Sequence, residues 1–202
     1  MTPEALANEI RARAGDGQGR FLIALAGPPG AGKSTLSDAL VHALGAQSRV
    51  VPMDGFHLDD IVLNARGMRS RKGAPETFDV AGFIHLIKRL REESEIAIPV
   101  FDRSMELSRA AADIIQPNDR YLIVEGNYLL LNEGRWAELA PMFDLTIWID
   151  VSLEELDRRL VDRWAYYGKS PAETRAWIDN NDMPNIRRTI ENSRQADVVI
   201  RP

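Results

Sequence analysis

The sequence predicts an α/β protein of three layers, in which a parallel sheet of five strands lies between two layers of helices. Five short runs are apolar almost throughout, which is typical of strands buried on both faces. Segments with helical spacing of apolar residues separate most of these runs, and strands that alternate with helices form parallel sheets. The five runs are Phe21 to Ala26, Arg49 to Met53, Tyr121 to Glu125, Leu145 to Val151 and, with a weaker pattern, Ala196 to Arg201.

Apolar spacing and capping residues locate the helices. An amphipathic helix is predicted from Pro3 to about Ala14, and "STLSDALVHAL" forms a second helix after the first strand. Asp79 is the expected N-cap of the helix in "DVAGFIHLIKRLREE", and "SLEELDRRLVDRW" predicts a further helix. The segment "IPVFDRSMELSRAAADIIQP" instead indicates two extended stretches around a turn.

Composition limits the classes of protein that fit. The 202 residues suit a single domain spanning 1–202, and a net charge of -5 argues against a nucleic-acid-binding surface. No cysteine is present, which excludes disulfides, thiolate metal sites and a catalytic thiol. No apolar run approaches the roughly 20 residues that span a bilayer, and no signal-peptide pattern opens the chain. We therefore expect a cytoplasmic protein with no membrane partner.

The strongest motif follows the first predicted strand. "GPPGAGKS" fits G-x-x-x-x-G-K-[ST] and precedes a helix, as a P-loop NTPase fold requires. Its backbone N–H groups and the helix N-terminus bind phosphate, Lys33 reaches the β- and γ-phosphates, and the Ser34 hydroxyl ligates Mg²⁺. A chance glycine-rich turn is the alternative. The predicted nucleotide-binding residues here are Gly27, Pro28, Pro29, Gly30, Ala31, Gly32, Lys33, Ser34 and Thr35.

ATP and Mg²⁺ are the expected cofactors. None of the four lysines lies in the N-K-x-D setting that reads guanine, which favours ATP. Glu125 ends a buried strand that we expect beside the P-loop, and a carboxylate there holds Mg²⁺ directly or through water. An ordinary acidic residue at the start of a loop is the alternative.

Asp54 ends the strand that follows the P-loop helix. Its carboxylate should face the crevice at the carboxyl ends of the strands, where the phosphates bind. It is a candidate for the base that accepts the proton of an attacking hydroxyl. A second contact to Mg²⁺ and a simple Asp-Gly turn remain alternatives. His57 follows closely and is a candidate substrate contact.

Basic residues after Asp54 predict contacts to an anionic group of the substrate or nucleotide. "NARGMRSRKGAPETFD" has several cations and no acid before Glu76, and Arg69 and Lys72 are its candidate substrate contacts. Arg103 and Arg109 in the extended pair are further candidates for substrate contact. A solvated surface is the alternative for each of these residues.

The late helix adds arginines close to a predicted lid. We assign Arg159 to the nucleotide and Arg163 to the charge that spreads over the transferred phosphoryl group, and Arg158 to a solvated face. Gly168, Pro171 and the Asn180-Asn181 pair break the following segment. Residues 163–185 are therefore predicted to form a helical lid that closes over ATP and excludes water.

The order of these motifs resembles the kinases that group uridine kinase, phosphoribulokinase and bacterial pantothenate kinase. "GPPGAGKSTL", "MDGFHLDD", "RGMRSRKGAPETFD", "PVFDRSMELS", "VEGNYLLL" and "NDMPNIRRTIENSRQADVVI" carry the resemblance, which covers nearly all of the chain from Phe21. It is most similar to small bacterial members named nucleoside or fructose-transport-system kinases. The resemblance implies that Asp54 is the base, that Lys33 and Ser34 bind phosphate and metal, and that Glu125 supports Mg²⁺. It also implies that Arg163 stabilises the transferred phosphate.

The resemblance also implies substrate residues, and one departure bears on the substrate. Lys72 and Asn185 match positions near the substrate of pantothenate kinase. Uridine kinases typically carry a tyrosine and a histidine where this chain has Phe101 and no histidine, which argues against a pyrimidine nucleoside. Phe101 is itself a candidate substrate contact.

The predicted activity is an ATP-dependent kinase that phosphorylates a hydroxyl of a small molecule. A sugar, a nucleoside and a pantothenate-like alcohol all remain candidate acceptors, and a homodimer is compatible with the sequence. A P-loop ATPase or nucleotide-dependent switch acting on a protein partner is the alternative, although it needs neither the aspartate base nor the basic substrate loop.

Overall fold

The computed structural model describes residues 1–17 and 19–201. Seven helices and seven strands occur in this part of the chain. The helices are α1 (Pro3–Ala14), α2 (Lys33–Leu44), α3 (Asp60–Ala65), α4 (Val80–Glu92), α5 (Leu153–Tyr166), α6 (Pro171–Trp177) and α7 (Met183–Asn192). The strands are β1 (Phe21–Ala26), β2 (Ser48–Pro52), β3 (Ile96–Asp102), β4 (Leu107–Ile115), β5 (Tyr121–Gly126), β6 (Leu145–Ile149) and β7 (Val198–Ile200).

The main sheet confirms the predicted fold class. Its five strands are parallel and lie in the order β2-β5-β1-β6-β7, so β1 is central. Alternate residues of β1 point to opposite faces, as in any strand. Leu22 packs with α4 on one face, whereas Ile23 packs with α1, α2 and α5 on the other. Helices thus cover both faces, and the carboxyl ends of β2, β5 and β1 form one edge.

Several strand boundaries differ from those predicted by one or two residues, and two of them bear on the site. Strand β6 ends at Ile149 and not at Val151, and the chain reaches the N-cap of α5 at Ser152, three residues later. Strand β2 ends at Pro52, and the next four residues, Met53–Phe56, form a turn of 3₁₀ helix. Asp54 therefore lies in this turn and not on the strand itself.

The predicted pair of extended stretches is an antiparallel hairpin of β3 and β4. It packs tightly on the 3₁₀ turn that carries Asp54, since a Cβ atom added to Gly55 would lie 2.3 Å from Pro99 O. The same turn packs against the end of β5, where a Cβ atom on Gly126 would lie 2.6 Å from Met53 Cβ. Gly55 is required by the close approach of the Pro99 backbone, and Gly126 by the close approach of the Met53 side chain. The turn, the hairpin and β5 are thereby held at one end of the sheet.

Three short helical elements lie near the end of the described chain. Helices α6 and α7 are joined by a π-helical turn, Ile178–Asp182. The indole Nε1 of Trp164 on α5 donates to Asp182 Oδ2 over 2.7 Å, which ties α5 to this turn. Among the described residues, no helix has the length and apolar character needed to span a membrane.

Candidate active site

The P-loop forms the predicted phosphate cradle between β1 and α2. Gly30 and Gly32 have φ angles of 83° and 92°, a left-handed conformation that other residues adopt only with strain. Gly27 lies so close to β6 that a Cβ atom would be 3.1 Å from Ile149 O. Within the described structure no side chain caps the N-terminus of α2 at Gly32. The first N–H groups of α2 are therefore available to phosphate oxygens.

Lys33 is anchored inside the loop. Its Nζ donates to the carbonyl oxygens of Gly27 at 3.0 Å and Pro28 at 3.1 Å, and to Asn127 Oδ1 at 2.6 Å. An ammonium has three N–H donors, so these bonds use all of them. Asn127 was not predicted, although it lies only two residues after Glu125 in "VEGNYLLL".

Burial and nearby carboxylates act on Lys33 in opposite directions. Burial lowers the pKa of Lys33 to about 8, while Glu125 and Asp54 act to raise it. The lysine therefore stays largely protonated at pH 7, as a phosphate-binding group must. The position of both carboxylates near its ammonium also shows that the ends of β2 and β5 meet at the P-loop.

Ser34 and Glu125 provide oxygen atoms that fit a magnesium ion. Ser34 Oγ donates to Glu125 Oε1 over 3.1 Å, whereas Glu125 Oε2 is buried and has no hydrogen-bond partner among the described residues. Burial, with a contribution from Asp54, raises the pKa of Glu125 above its usual value. A divalent cation would bind Oε2 of Glu125 and favour the ionised form of this carboxylate. Hard oxygen donors of this kind are the ligands that Mg²⁺ prefers.

Asp54 forms an ion pair that the sequence did not indicate. Its Oδ2 accepts a hydrogen bond from Arg103 Nη2 over 2.7 Å, and its Oδ1 lies 3.9 Å from His57 Nε2. Burial acts to raise the pKa of Asp54, but the charges of His57, Arg103, Lys33 and Arg163 outweigh it and the pKa lies below its usual value. Asp54 is therefore ionised at pH 7.

His57 is a neutral, packed side chain beside Asp54. Its ring stacks on Phe78 at 4.0 Å between centroids and lies 4.8 Å from Phe101. Burial lowers the pKa of His57 to about 4, so the imidazole carries no charge at pH 7. The imidazole is uncharged at pH 7, so the positive charges that act on Asp54 at that pH are those of Arg103, Lys33 and Arg163. Its Nδ1 is buried without a partner among the described residues.

Lys72 and Arg69 converge on Asp60, the first residue of α3. Lys72 Nζ donates to Asp60 Oδ1 at 2.7 Å and to Glu106 O at 2.8 Å, and it lies 5.2 Å from the centre of the Phe101 ring. Arg69 Nε donates to Asp60 Oδ2 at 2.6 Å. The Lys72 side chain is only 6% exposed. Lys72 thus links α3 to the hairpin, while Arg69 stays more accessible.

Amide side chains from the π-helical turn and α7 close the same region. Asn185 is buried, and its Oδ1 accepts from Arg71 Nη2 at 3.1 Å. Asn181 Nδ2 donates to Lys72 O at 2.9 Å. These bonds connect the basic segment after α3 to the start of α7. Asn181 was not predicted to belong to the site.

The three arginines of α5 have different surroundings. Arg158 is exposed and pairs with Glu155 and Asp162, as expected for a solvated face. Arg159 Nη1 donates to the carbonyl oxygens of Gly30 and Ala31 at 3.3 and 3.2 Å, which places it against the P-loop at the wall of the cavity.

Arg163 is half-buried and lies 5.6 Å from the centre of the Trp164 ring. Its guanidinium makes no hydrogen bond or ion pair within residues 1–17 and 19–201. Burial, followed by repulsion from Arg103, lowers its pKa. Arg163 thus faces the cavity described below without a fixed anionic partner.

One cavity of about 770 Å³ brings most of the predicted residues together. Its walls include Pro29, Gly30, Gly32, Lys33, Ser34, Thr35, Asp54, His57, Arg69, Lys72, Phe101, Glu125, Arg159, Arg163 and Asn185. Gly27, Pro28 and Ala31 belong to the P-loop but do not line it. Arg109 is not brought to the cavity either: it is exposed on β4 and lies 3.6 Å from Asp102. Lining residues that the prediction missed include Asn127, Asn181, Asp182, Lys169 and Trp177.

Comparison with known proteins gives consistent matches over most of the chain. The model of the Phosphoribulokinase / Uridine kinase family matches residues 22–202. Protein YggC of Escherichia coli is 37% identical over 191 residues, which is 91% of this chain and 78% of YggC. A "putative uridine kinase" of Schizosaccharomyces pombe is 33% identical over 196 residues, 91% of this chain and 83% of that protein.

A solved structure supports the same relationship. The crystal structure of a "putative fructose transport system kinase" from Silicibacter sp. superimposes with a TM-score of 0.95 at 41% identity. The match covers 99% of both chains.

Proposed function

The chain belongs to the phosphoribulokinase / uridine kinase family and is an ATP-dependent kinase, and we propose that it moves the γ-phosphate of ATP to a hydroxyl group of a small molecule. The observation that carries this proposal is that Lys33, Asp54 and Arg163 line one cavity. A phosphate-binding lysine, a carboxylate base and an arginine are the groups that phosphoryl transfer to an alcohol needs.

Asp54 acts as the base in this proposal. The hydroxyl oxygen of the acceptor forms a bond to the γ-phosphorus, the bond from that phosphorus to the β,γ-bridging oxygen breaks, and the hydroxyl proton passes to Asp54. Lys33 neutralises charge on the β- and γ-phosphates, and Arg163 neutralises charge that develops on the transferred group. The lack of a fixed anionic partner for Arg163 among the described residues supports its role.

Ser34 and Glu125 would hold Mg²⁺ in this proposal, and the ion would supply charge neutralisation at the β- and γ-phosphates. Arg159, which contacts the P-loop carbonyls and lines the cavity, would lie beside the bound nucleotide. Helix α5 from Arg163, together with the segment to Asn185, would act as the lid. The bond from Trp164 to Asp182 supports movement of this segment as a unit.

The acceptor would bind between the hairpin and α7. Phe101 and neutral His57 offer an apolar wall, and Asn185 and Arg69 offer polar contacts. Sugars, nucleosides and pantothenate-like alcohols all fit a site of this chemistry. The names of the relatives put fructose and uridine among the compounds to test, and Phe101, with no histidine in its own segment of the sequence, argues against uridine.

The test is ADP formation from ATP and Mg²⁺ with a panel of sugars, nucleosides and pantothenate, with product phosphorylation checked by mass spectrometry. Lys33→Ala serves as the inactive control because it removes the ammonium that binds the β- and γ-phosphates. ADP formation that depends on one acceptor supports the proposal. Steady hydrolysis that no small alcohol changes, but that a protein partner stimulates, would favour the ATPase or switch alternative.

A further inference from the structure

The turn that joins β3 to β4 is built to bring Arg103 to the cavity. Asp102 Oδ1 accepts hydrogen bonds from Ser104 N at 3.0 Å, Met105 N at 3.2 Å and Ser104 Oγ at 2.6 Å. On the other side of the turn, Glu106 O accepts from Lys72. The turn is thus fixed at both ends, and Arg103 extends from it to Asp54 Oδ2 at 2.7 Å.

This ion pair occupies Oδ2, one of the two oxygens of the carboxylate that acts as base in the proposed reaction. A carboxylate oxygen that accepts a hydrogen bond from a guanidinium is a weaker base, and it is less available to a second donor. The charge of Arg103 also stabilises the ionised form of Asp54. In the arrangement observed here, Oδ2 of Asp54 is therefore engaged, and the carboxylate is a weaker base towards any hydroxyl, including that of water.

The pair is nevertheless easy to open. The side chain of Arg103 is 46% exposed and that of Asp54 is 26% exposed, and partly exposed ion pairs are weak. An acceptor alcohol that also contacts Phe101 and Asn185 gains binding energy from several contacts, which can offset the loss of one ion pair. A water molecule has no such contacts to offer.

We infer that Arg103 is a specificity-determining residue that restrains Asp54 in the absence of acceptor and so limits transfer of phosphate to water. This inference rests on the proposed role of Asp54 as base. In the reaction it suppresses, the oxygen of water forms a bond to the γ-phosphorus, the bond to the β,γ-bridging oxygen breaks, and the proton passes to Asp54. The products would be ADP and inorganic phosphate.

The experiment measures ADP formation from ATP and Mg²⁺ with no acceptor present. Arg103→Ala and Arg103→Gln should raise this rate roughly 5-fold or more, because Asp54 is released. Arg103→Lys can still pair with Asp54 and should stay within about twofold of wild type. Arg135→Ala removes an exposed arginine that pairs with Glu138 outside the cavity, and it is the matched control.

The double variant Arg103→Ala/Asp54→Asn decides whether the increase passes through Asp54. The account requires its hydrolysis to fall back to the wild-type rate or below. Unchanged hydrolysis in Arg103→Ala and Arg103→Gln, or an increase that persists in the double variant, would overturn the inference.

A different result would contradict the proposed function. If Asp54→Asn alone keeps near-normal turnover of the acceptor, Asp54 is not the base. If that variant is strongly impaired while Arg103→Ala hydrolyses ATP at the wild-type rate, the base assignment stands and only the inference about Arg103 is wrong.

Discussion

The ammonium of Lys33 donates a hydrogen bond to the side-chain oxygen of Asn127 over 2.6 Å. Asn127 follows the end of β5, so this bond joins the P-loop to the strand that carries Glu125. A neutral amide is a suitable partner for a phosphate-binding lysine. It holds the ammonium in place, yet a phosphate oxygen can displace it without competing against a full negative charge.

Asn127→Asp should lower ATP affinity at least about tenfold, because the new carboxylate would pair with Lys33 and repel the phosphates. Asn127→Ala should cost only a few-fold, since Lys33 keeps its two backbone partners. Calorimetric titration with ATP measures both. Asn132→Ala changes an exposed residue nearby and should bind ATP as wild type does. Wild-type affinity in Asn127→Asp would contradict this role for Asn127.

Arg163→Ala should reduce kcat by roughly 10²- to 10³-fold while changing ATP affinity much less, because the arginine contact strengthens as charge develops in the transition state. Arg158→Ala removes an exposed arginine from the same helix and should keep kcat within about twofold of wild type. Steady-state kinetics and ATP titration on both variants provide the comparison. Similar losses in the two variants would indicate that α5 matters for structure alone.

The burial of Asp182 predicts that the stability of the folded protein depends on pH. Burial raises the pKa of Asp182 to about 6 in the folded protein, against about 3.9 for an unperturbed aspartate. Between these values the folded state keeps a proton that the unfolded chain has lost. Below about pH 4 Asp182 does not reduce the free energy of unfolding. As the pH rises towards 6, the free energy of unfolding decreases because of this group. Above that pH the folded protein carries the whole cost of a buried charge.

Asp182→Asn removes this cost and retains an oxygen for the Trp164 hydrogen bond. We expect it to raise the free energy of unfolding by about 2 to 3 kcal/mol at pH 7.5, and by about 1 kcal/mol less at pH 5. Urea unfolding at the two pH values tests this. Asp162→Asn, at an exposed carboxylate on α5, should show no such difference between the two pH values. An equal effect of Asp182→Asn at both values would rule out the titration of Asp182 as its cause.

The parts of the site that follow local rules could be predicted from the sequence. A complete P-loop motif between a buried strand and a helix locates Lys33 and Ser34, since its glycines and helix start are local requirements. The parallel sheet locates Glu125, because the carboxyl ends of neighbouring strands share one edge. These predictions needed only strand order and spacing.

Contacts between distant segments could not be predicted in this way. Arg103 and Asp54 are 49 positions apart, and they meet because the hairpin packs on the 3₁₀ turn at Gly55. No periodic pattern specifies that packing. Arg109 was misplaced for a different reason: it pairs with Val100 in the hairpin, one position away from the pair that contains Phe101, so alternation along β4 directs it away from the cavity. Asp182 was missed because a carboxylate in a polar segment usually indicates an exposed residue.

In the proposed phosphoryl transfer, Asp54 takes the proton of the acceptor hydroxyl. Asparagine keeps the size of the side chain and one oxygen for Arg103, but it cannot accept the proton. Asp54→Asn should therefore leave ATP affinity near that of wild type and lower kcat by roughly 10²- to 10⁴-fold. If Asp54 were mainly a contact for Mg²⁺, higher magnesium should restore much of the activity.

The most direct measurement is kcat of Asp54→Asn across a magnesium titration, with the acceptor identified by the screen at saturation. The account predicts a large loss of kcat that no concentration of magnesium repairs. Near-normal turnover, or recovery of kcat as magnesium is raised, would contradict it.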